Sequence, residues 1–75
     1  MQVRVKLMGS LKANSPADGA LELAPSATIE DALAQLGLHG SSVQIVMLNG
    51  KPQPDRTRSL ADGDELTVLP PVGGG

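Results

Sequence analysis

The sequence predicts a small α+β domain in which one helix covers one face of a mixed β-sheet, with elements in the order ββαββ. Two patterns support this prediction: apolar residues alternate with polar ones near both ends of the chain, and one helical apolar stripe lies between them. The 75 residues, 40% of them hydrophobic, suffice for one domain with a small core. Since the chain has no Phe, Tyr or Trp, aliphatic side chains and Met must fill that core.

The N-terminal part predicts two strands separated by a long turn. Within residues 2–8, apolar side chains alternate with polar or charged ones as far as Leu7, which is typical of a half-buried strand. The inward positions of this strand are Val3, Val5 and Leu7. Residues 9–19 are rich in Gly, Pro, Asn and Asp, so we expect a turn or loop there. Residues 20–23 predict a second strand, which Pro25 ends.

One helix is predicted to begin after Thr28, a typical N-cap residue. The two acidic residues that follow suit the positive end of the helix dipole. Four apolar residues with the spacing i, i+3, i+4 and i+7 form one stripe: Ile29, Ala32, Leu33 and Leu36. Gly37 suits the left-handed position that ends a helix, and Leu38 can supply the accompanying hydrophobic contact.

The C-terminal part predicts two further strands. Residues 43–48 form an apolar, β-branched run, which we interpret as a strand buried on much of both faces. Asn49-Gly50 is a strong hairpin signal, and the two prolines after it exclude a central strand. Residues 65–69 predict the final strand. The predicted core combines all these elements: Val3, Val5, Leu7, Ile29, Leu33, Leu36, Ile45, Leu66 and Val68.

Composition argues against several classes of function. The net charge of −2 and the lack of aromatic residues disfavour nucleic-acid binding, which needs cationic and stacking groups. Without cysteine there is no thiolate nucleophile or cysteine metal site, and one histidine cannot make a His-rich site, so no metal site is predicted. No apolar run is long enough to span a membrane and no signal-peptide pattern is present; we therefore expect no membrane partner and a cytoplasmic location.

No catalytic residue is predicted. His39 follows the helix without a nucleophile or acid in view, so a solvated or helix-capping role is favoured. Asp62, Asp64 and Glu65 lack the ligand number and spacing of a calcium-binding loop, so they are interpreted as a solvated turn.

The C-terminal segment carries the main functional signal. Pro70 and Pro71 restrict the backbone shortly before Gly73, Gly74 and Gly75, whose backbones are almost unrestricted. Such a segment can leave the domain as a thin thread, and its terminal carboxylate can enter a narrow channel of a partner. A passive glycine-rich end is the alternative interpretation.

Residues 60–75 resemble the C-terminal signature of the MoaD/ThiS sulfur carriers. The matching features are an Asp-Gly-Asp-Glu turn at residues 62–65, a strand, Pro-Pro-Val at residues 70–72 and a final Gly-Gly. The Pro-Pro-Val sequence favours the MoaD branch, the small subunits of molybdopterin synthase. Because the family has the ubiquitin-like β-grasp fold, the resemblance implies a β-grasp domain over residues 1–72 and a flexible, functional glycine tail over residues 73–75.

The resemblance also implies a carrier and co-substrate whose partners hold the catalytic groups. An E1-like adenylyltransferase (MoeB/ThiF-like) would activate the Gly75 carboxylate with ATP and Mg²⁺. A sulfur donor would then convert the adenylate to a thiocarboxylate, and a MoaE-like large subunit of molybdopterin synthase would receive the sulfur. This pathway would serve a molybdenum or tungsten cofactor, and no cofactor bound to the chain itself is expected.

Six residues are candidates for binding these partners: Met8, Met47, Leu69, Pro70, Pro71 and Val72. For the two methionines and the leucine, core packing stays open as an alternative. Two alternatives to the molybdopterin pathway also stay open. One is sulfur transfer to another acceptor, such as thiamine thiazole, tRNA or an amino acid. The other is a ubiquitin-like modifier, in which Gly75 forms an amide with a target lysine.

Overall fold

The computed structural model describes residues 1–72, so the predicted mobility of residues 73–75 lies outside the described part of the chain. The elements, in chain order, are β1 (Gln2–Leu7), a first 3₁₀-helix (Gly9–Asn14), β2 (Ala20–Glu22), α1 (Ile29–Gln35), a second 3₁₀-helix (Gly40–Ser42), β3 (Ile45–Leu48), β4 (Lys51–Pro52) and β5 (Glu65–Leu69). The strands form one mixed sheet in the order β2-β1-β5-β3-β4. The predicted α+β fold is confirmed, but the sheet has five strands where the predicted order ββαββ has four. The additional strand, β4, is a short edge strand, where proline is tolerated.

One pair of neighbouring strands, β1 and β5, runs parallel, which makes the sheet mixed. β1 pairs with β5 from Arg4 opposite Glu65 to Leu7 opposite Val68, whereas the other neighbouring strands are antiparallel. β5 is therefore a central strand, and the chain leaves the sheet from its middle rather than from an edge.

The core lies between the sheet and α1 and is aliphatic. The predicted core positions that the structure confirms are Val3, Val5, Leu7, Ile29, Leu33, Leu36, Leu66 and Val68. The other buried leucines and valines are Leu11, Leu21, Leu23, Leu38, Val43, Val46, Leu48 and Leu60. No polar side chain of residues 1–72 is buried. Stability therefore depends on the packing of aliphatic groups rather than on buried hydrogen bonds between side chains.

The prediction that Ile45 belongs to the core is wrong, because its side chain is 45% exposed. Val46 and Leu48 are buried, and successive residues of a strand point to opposite faces, so Ile45 lies on the outer face of the sheet. The interpretation of residues 43–48 as buried on both faces is wrong for the same reason. A continuous apolar run does not show which of its residues point inward.

Just before β3, the alternation of inward-pointing and outward-pointing side chains shifts by one residue. The N–H group of Gln44 donates to the carbonyl oxygen of Leu69 at 2.9 Å, although Leu69 is also the register partner of Ile45. Two residues opposite one are typical of a β-bulge. This bulge explains why Val43 is buried although Ile45, two residues later, is exposed.

The helix begins and ends as predicted. The hydroxyl of Thr28 accepts a hydrogen bond from the N–H group of Asp31, and the Asp31 carboxylate accepts one from the N–H group of Thr28, which makes a capping box. At the other end, Gly37 has a φ of 77°, and the N–H group of Leu38 donates to the carbonyl oxygen of Leu33 at 2.9 Å. This is the bond of a Schellman motif.

The predicted loop after β1 contains the first 3₁₀-helix. Leu11 is only 5% exposed and joins the core, while the side-chain amide of Asn14 donates to the carbonyl oxygen of Leu36 at 2.9 Å. These two contacts fix the 3₁₀-helix against the domain. The turn-forming residues on either side of Leu11 predict a loop, so the sequence does not indicate this 3₁₀-helix.

We expect Leu33→Ala to lower the free energy of unfolding by about 2–5 kcal/mol, since Leu33 is 5% exposed in the core. Urea denaturation of native and variant proteins measures this loss. Ile45→Ala is the matched control: it truncates an exposed aliphatic side chain and should change stability by about 0.5 kcal/mol or less. Equal losses for the two variants would contradict the assignment of the two faces.

Candidate functional site

The outer face of the sheet changes from charged to apolar toward the end at which the chain leaves. At one end of the face, Arg4 lies beside Glu65 in the register of β1 and β5. At the other end, Ile45 lies beside Leu69, and Met47 occupies the row between the two ends. The apolar part of this face therefore surrounds the point at which the chain departs.

We call Met8, Ile45, Met47 and Leu69 the outer patch. Met8 is 38% exposed and Ile45 45%, while Met47 and Leu69 are half-buried. The N–H group of Met8 donates to the carbonyl oxygen of Val68 at 3.0 Å, which continues the parallel pairing and brings Met8 beside Leu69. Met8, Met47 and Leu69, for which core packing was the alternative, thus lie together on the outer face and not in the core. Ile45, which the sequence placed in the core, joins them because the bulge at Gln44 sets the phase of β3, and no local pattern in the sequence indicates this bulge.

A groove of about 380 Å³ adjoins the outer patch on the side of Ile45. Its lining consists of Gln44, Ile45, Val46, Pro52, Gln53, Pro54 and Arg56. Hydrogen bonds hold its walls: the guanidinium of Arg56 donates to the carbonyl oxygen of Val43 at 3.1 Å, and the N–H group of Gln53 donates to that of Val46 at 2.8 Å. The groove offers an apolar surface beside the patch and contains no acid or nucleophile.

The root of the C-terminal segment is held on two sides. On one side, the carbonyl oxygen of Leu69 accepts the hydrogen bond from the residue before β3. On the other, Pro70 lies against Gly9, where a β-carbon would be 3.1 Å from the Cγ atom of Pro70. Pro71 is exposed and Val72 is 92% exposed, so the chain leaves the domain directly after Pro70. Gly9 was not predicted as a site residue, because nothing in the sequence relates it to a residue of the tail.

The predicted attachment residue Gly75, with Gly73 and Gly74 before it, lies outside the described residues. What the structure supplies is the base from which this segment starts. That base consists of a half-buried proline, two exposed residues and an apolar surface beside them.

The acidic residues before β5 stabilise the turn between β4 and β5. The Asp64 carboxylate accepts hydrogen bonds from the side-chain amide of Asn49 at 3.0 Å and from the N–H group of Ala61 at 2.8 Å. The Asp62 carboxylate accepts one from the N–H group of Gln2 at 2.7 Å. These bonds tie the turn to the β3–β4 hairpin and to the start of β1. The interpretation of these residues as a turn thus has a structural basis.

The remaining polar groups offer no catalytic arrangement within residues 1–72. His39 is exposed and its side chain does not cap the second 3₁₀-helix. The hydroxyl and N–H groups of Thr57 donate to Asp55, which lowers the pKa of that carboxyl. In the described part of the chain, His, Asp and Glu do not cluster in a group of three that could hold a metal ion. Nor does that part contain a helix of the length and apolarity needed to cross a membrane.

Comparisons with known proteins place these features in a family. Residues 5–75 match the model of the ThiS family. Among solved structures, SAMP1 from Haloferax volcanii is 26% identical, with a TM-score of 0.73 and coverage of 100% of both chains. A chain from the complex of subunits 1 and 2 of the molybdopterin-converting factor from Helicobacter pylori 26695 is 25% identical, with a TM-score of 0.64 and the same coverage.

A third structure supports the fold alone. The putative molybdopterin converting factor subunit 1 from Pyrococcus furiosus is 23% identical, has a TM-score of 0.73, and matches 96% of this chain and 99% of its own. No curated protein matches the sequence. Because the family model covers almost the whole chain and these neighbours have the same fold, the protein belongs to the ThiS family, in the ubiquitin-like β-grasp group of sulfur carriers and modifiers.

Proposed function

We propose that this chain is a sulfur carrier that donates sulfur in the biosynthesis of molybdopterin. An E1-like enzyme adenylates the carboxylate of Gly75, a sulfur donor converts it to a thiocarboxylate, and a MoaE-like large subunit receives the sulfur. Membership of the ThiS family carries the proposal, since the match continues to residue 75 and so includes the glycine end. The Helicobacter pylori neighbour, which comes from a complex of two subunits of a molybdopterin-converting factor, supports a two-subunit arrangement.

The outer patch supports docking beside the reacting terminus. Four apolar side chains surround the departure point of the chain, so a partner that covers them also holds the root of the tail. Two of the four are methionines, whose unbranched side chains adapt to different surfaces. This adaptability suits a carrier that binds an activating enzyme and a sulfur acceptor in turn.

The chemistry requires little from the domain itself. A carboxylate is a poor electrophile, and its reaction with ATP gives an acyl-adenylate and releases pyrophosphate. The terminal sulfur of a persulfide attacks the acyl carbon and AMP leaves; a second thiol then cleaves the acyl disulfide and frees the thiocarboxylate. ATP, Mg²⁺ and the acid–base groups belong to the partners, while this chain contributes the carboxylate and its binding surface.

A ubiquitin-like protein modifier is the second candidate function. The observation that favours it is the 26% identity to SAMP1 from Haloferax volcanii over the full length of both chains. A second structure of that protein is described as small archaeal modifier protein 1. In this case the amine of a target lysine attacks the same acyl-adenylate, and an amide forms instead of a thiocarboxylate.

The direct experiment incubates the purified chain with an E1-like enzyme, MgATP and sulfide and measures the intact mass. We expect a gain equal to the mass difference between sulfur and oxygen, together with release of AMP. Transfer is then tested by adding a MoaE-like subunit with a pterin precursor. Loss of the added sulfur to the pterin supports the molybdopterin pathway. Lysine-linked conjugates in cell lysate, without transfer of sulfur to the pterin, would favour the modifier.

Deletion of Gly74 and Gly75, or addition of one alanine after Gly75, should abolish sulfur loading while the fold stays intact. One residue moves the carboxylate by about 3.3–3.6 Å, and a misplacement of about 1 Å can already cost on the order of 10²-fold in rate. The mass assay measures loading, and thermal unfolding measures stability.

The control for the terminus is His39→Ala, which changes an exposed residue without an assigned role and should load like the native chain. If the extended chain gained sulfur at the native rate without being trimmed, the carrier hypothesis would be wrong.

Ile45→Ser should raise the KM for the activating enzyme about tenfold and leave kcat nearly unchanged. Burial of an aliphatic side chain contributes about 1.5–3 kcal/mol, and about 1.4 kcal/mol corresponds to a tenfold change in affinity. Steady-state release of AMP measures both constants. Ala34→Ser, at an exposed position of α1, is the control and should leave KM unchanged. A native KM for Ile45→Ser would exclude the outer patch as the docking surface.

A further inference from the structure

One glycine makes the contact between the first 3₁₀-helix and the root of the tail. Gly9 has a φ of 55°, in the left-handed region that favours glycine. A β-carbon at this position would lie 3.1 Å from the Cγ atom and 3.7 Å from the Cδ atom of Pro70. The first distance is shorter than ordinary van der Waals contact between carbon atoms. The ring of Pro70 therefore lies where any other residue at position 9 would place its side chain.

The Gly9 side of this contact is firmly held. Leu11, two residues later, is buried in the core, and Asn14 at the end of the 3₁₀-helix donates its hydrogen bond to Leu36. Before Gly9, the N–H group of Met8 is bonded to β5. Gly9 cannot move away from an added β-carbon without disturbing these contacts.

On the other side of this contact, at Pro70, the chain is fixed by hydrogen bonds as far as Leu69 and is exposed to solvent from Pro71 to Val72. The preceding residue, Leu69, is paired in β5 and bonded to Gln44. Pro70 is half-buried, whereas Pro71 and Val72 are exposed. A push on the ring of Pro70 turns the link between Leu69 and Pro70, and the exposed residues Pro71 and Val72 move with the ring.

We propose that Gly9 is a positioning residue for the tail: by seating the ring of Pro70 it fixes the direction in which the chain leaves the domain. The fixed φ of the two prolines carries this direction outward. Val72, the last described residue, lies two residues and at most about 7 Å beyond Pro70, so a small rotation at Pro70 moves the point from which residues 73–75 begin. The consequence for loading rests on the proposed function, whereas the contact itself does not.

The first experiment compares Gly9→Ala with Gly63→Ala. Gly63 also has a positive φ, 86°, but a β-carbon there would meet nothing within 4 Å. Both variants therefore introduce the same type of backbone strain, and only Gly9→Ala presses on Pro70. In NMR spectra, we expect Gly9→Ala to shift the amide signal of Val72 and to weaken the contacts between residue 9 and the proline ring. Gly63→Ala should leave both unchanged.

The second experiment measures AMP release with the enzyme that adenylates the native chain, MgATP and sulfide. We expect Gly9→Ala to lower kcat about tenfold or more, because a displacement of about 1 Å can cost up to 10²-fold. KM should stay within about twofold of native, since the outer patch is unchanged and a twofold change is small on the affinity scale. Gly63→Ala should have native kcat and KM at equal folded fraction.

A third variant separates the contact from general destabilisation. Pro70→Ala removes the ring atoms that a β-carbon at position 9 would meet. In a chain that carries Pro70→Ala, the further change Gly9→Ala should therefore lower kcat much less than it does in the native chain. Strain from the positive φ at Gly9 would persist in this double variant. If Gly9→Ala fails to fold, Pro70→Ala alone tests the seat from the other side, with lower kcat and a shifted Val72 amide signal expected.

The inference is wrong if Gly9→Ala keeps both the native Val72 signal and the native kcat, or if Gly63→Ala lowers kcat to the same extent. Failure of the proposed function gives a different result. In that case the native chain gains no sulfur, while the NMR comparison still decides whether Gly9 seats the ring of Pro70.

Discussion

The parallel pairing of β1 with β5 is the contact on which the rest of the structure depends. It aligns Val5 with Leu66 and Leu7 with Val68, and so builds the centre of the buried face from both ends of the chain. Parallel neighbours cannot be joined by a tight hairpin, so the helix and the remaining strands lie between them in sequence. The same pairing brings the end of β1 next to the end of β5, which is why the loop after β1 touches the root of the tail.

An entirely aliphatic core makes local interactions important for stability. A core of this size rarely supplies more than about 3–5 kcal/mol, so a helix cap that contributes about 1 kcal/mol is a substantial fraction. The capping box at Thr28 and the Schellman motif at Gly37 stabilise both ends of the single helix. The hydrogen bonds of Asp64 do the same for the turn before β5. These local bonds stabilise the helix and the turn that leads into β5, the strand from which the tail starts.

Local chemistry made most of the fold predictable from the sequence, and long-range packing explains the errors. The strands near both ends and the limits of the helix follow from alternation and capping residues, which act over a few positions. The exposed position of Ile45 does not follow from local patterns. The bulge at Gln44, which is bonded to β5, determines which residues of β3 point inward. In the candidate site, the methionines and the proline pair could be identified from the sequence. The contact of Gly9 with Pro70 could not, because it joins distant parts of the chain.

Under the proposed function, the domain and the terminus have separate tasks. The outer patch determines which partners bind, and the seat of Pro70 determines how the tail enters them, but no side chain of residues 1–72 is assigned to the attack on the adenylate. Persulfide sulfur and lysine amine react with the same acyl-adenylate. The partner that supplies the nucleophile therefore decides between sulfur carriage and protein modification. This separation gives a physical reason why one β-grasp frame serves both carriers and modifiers: changing the reaction requires a different partner, not a different fold.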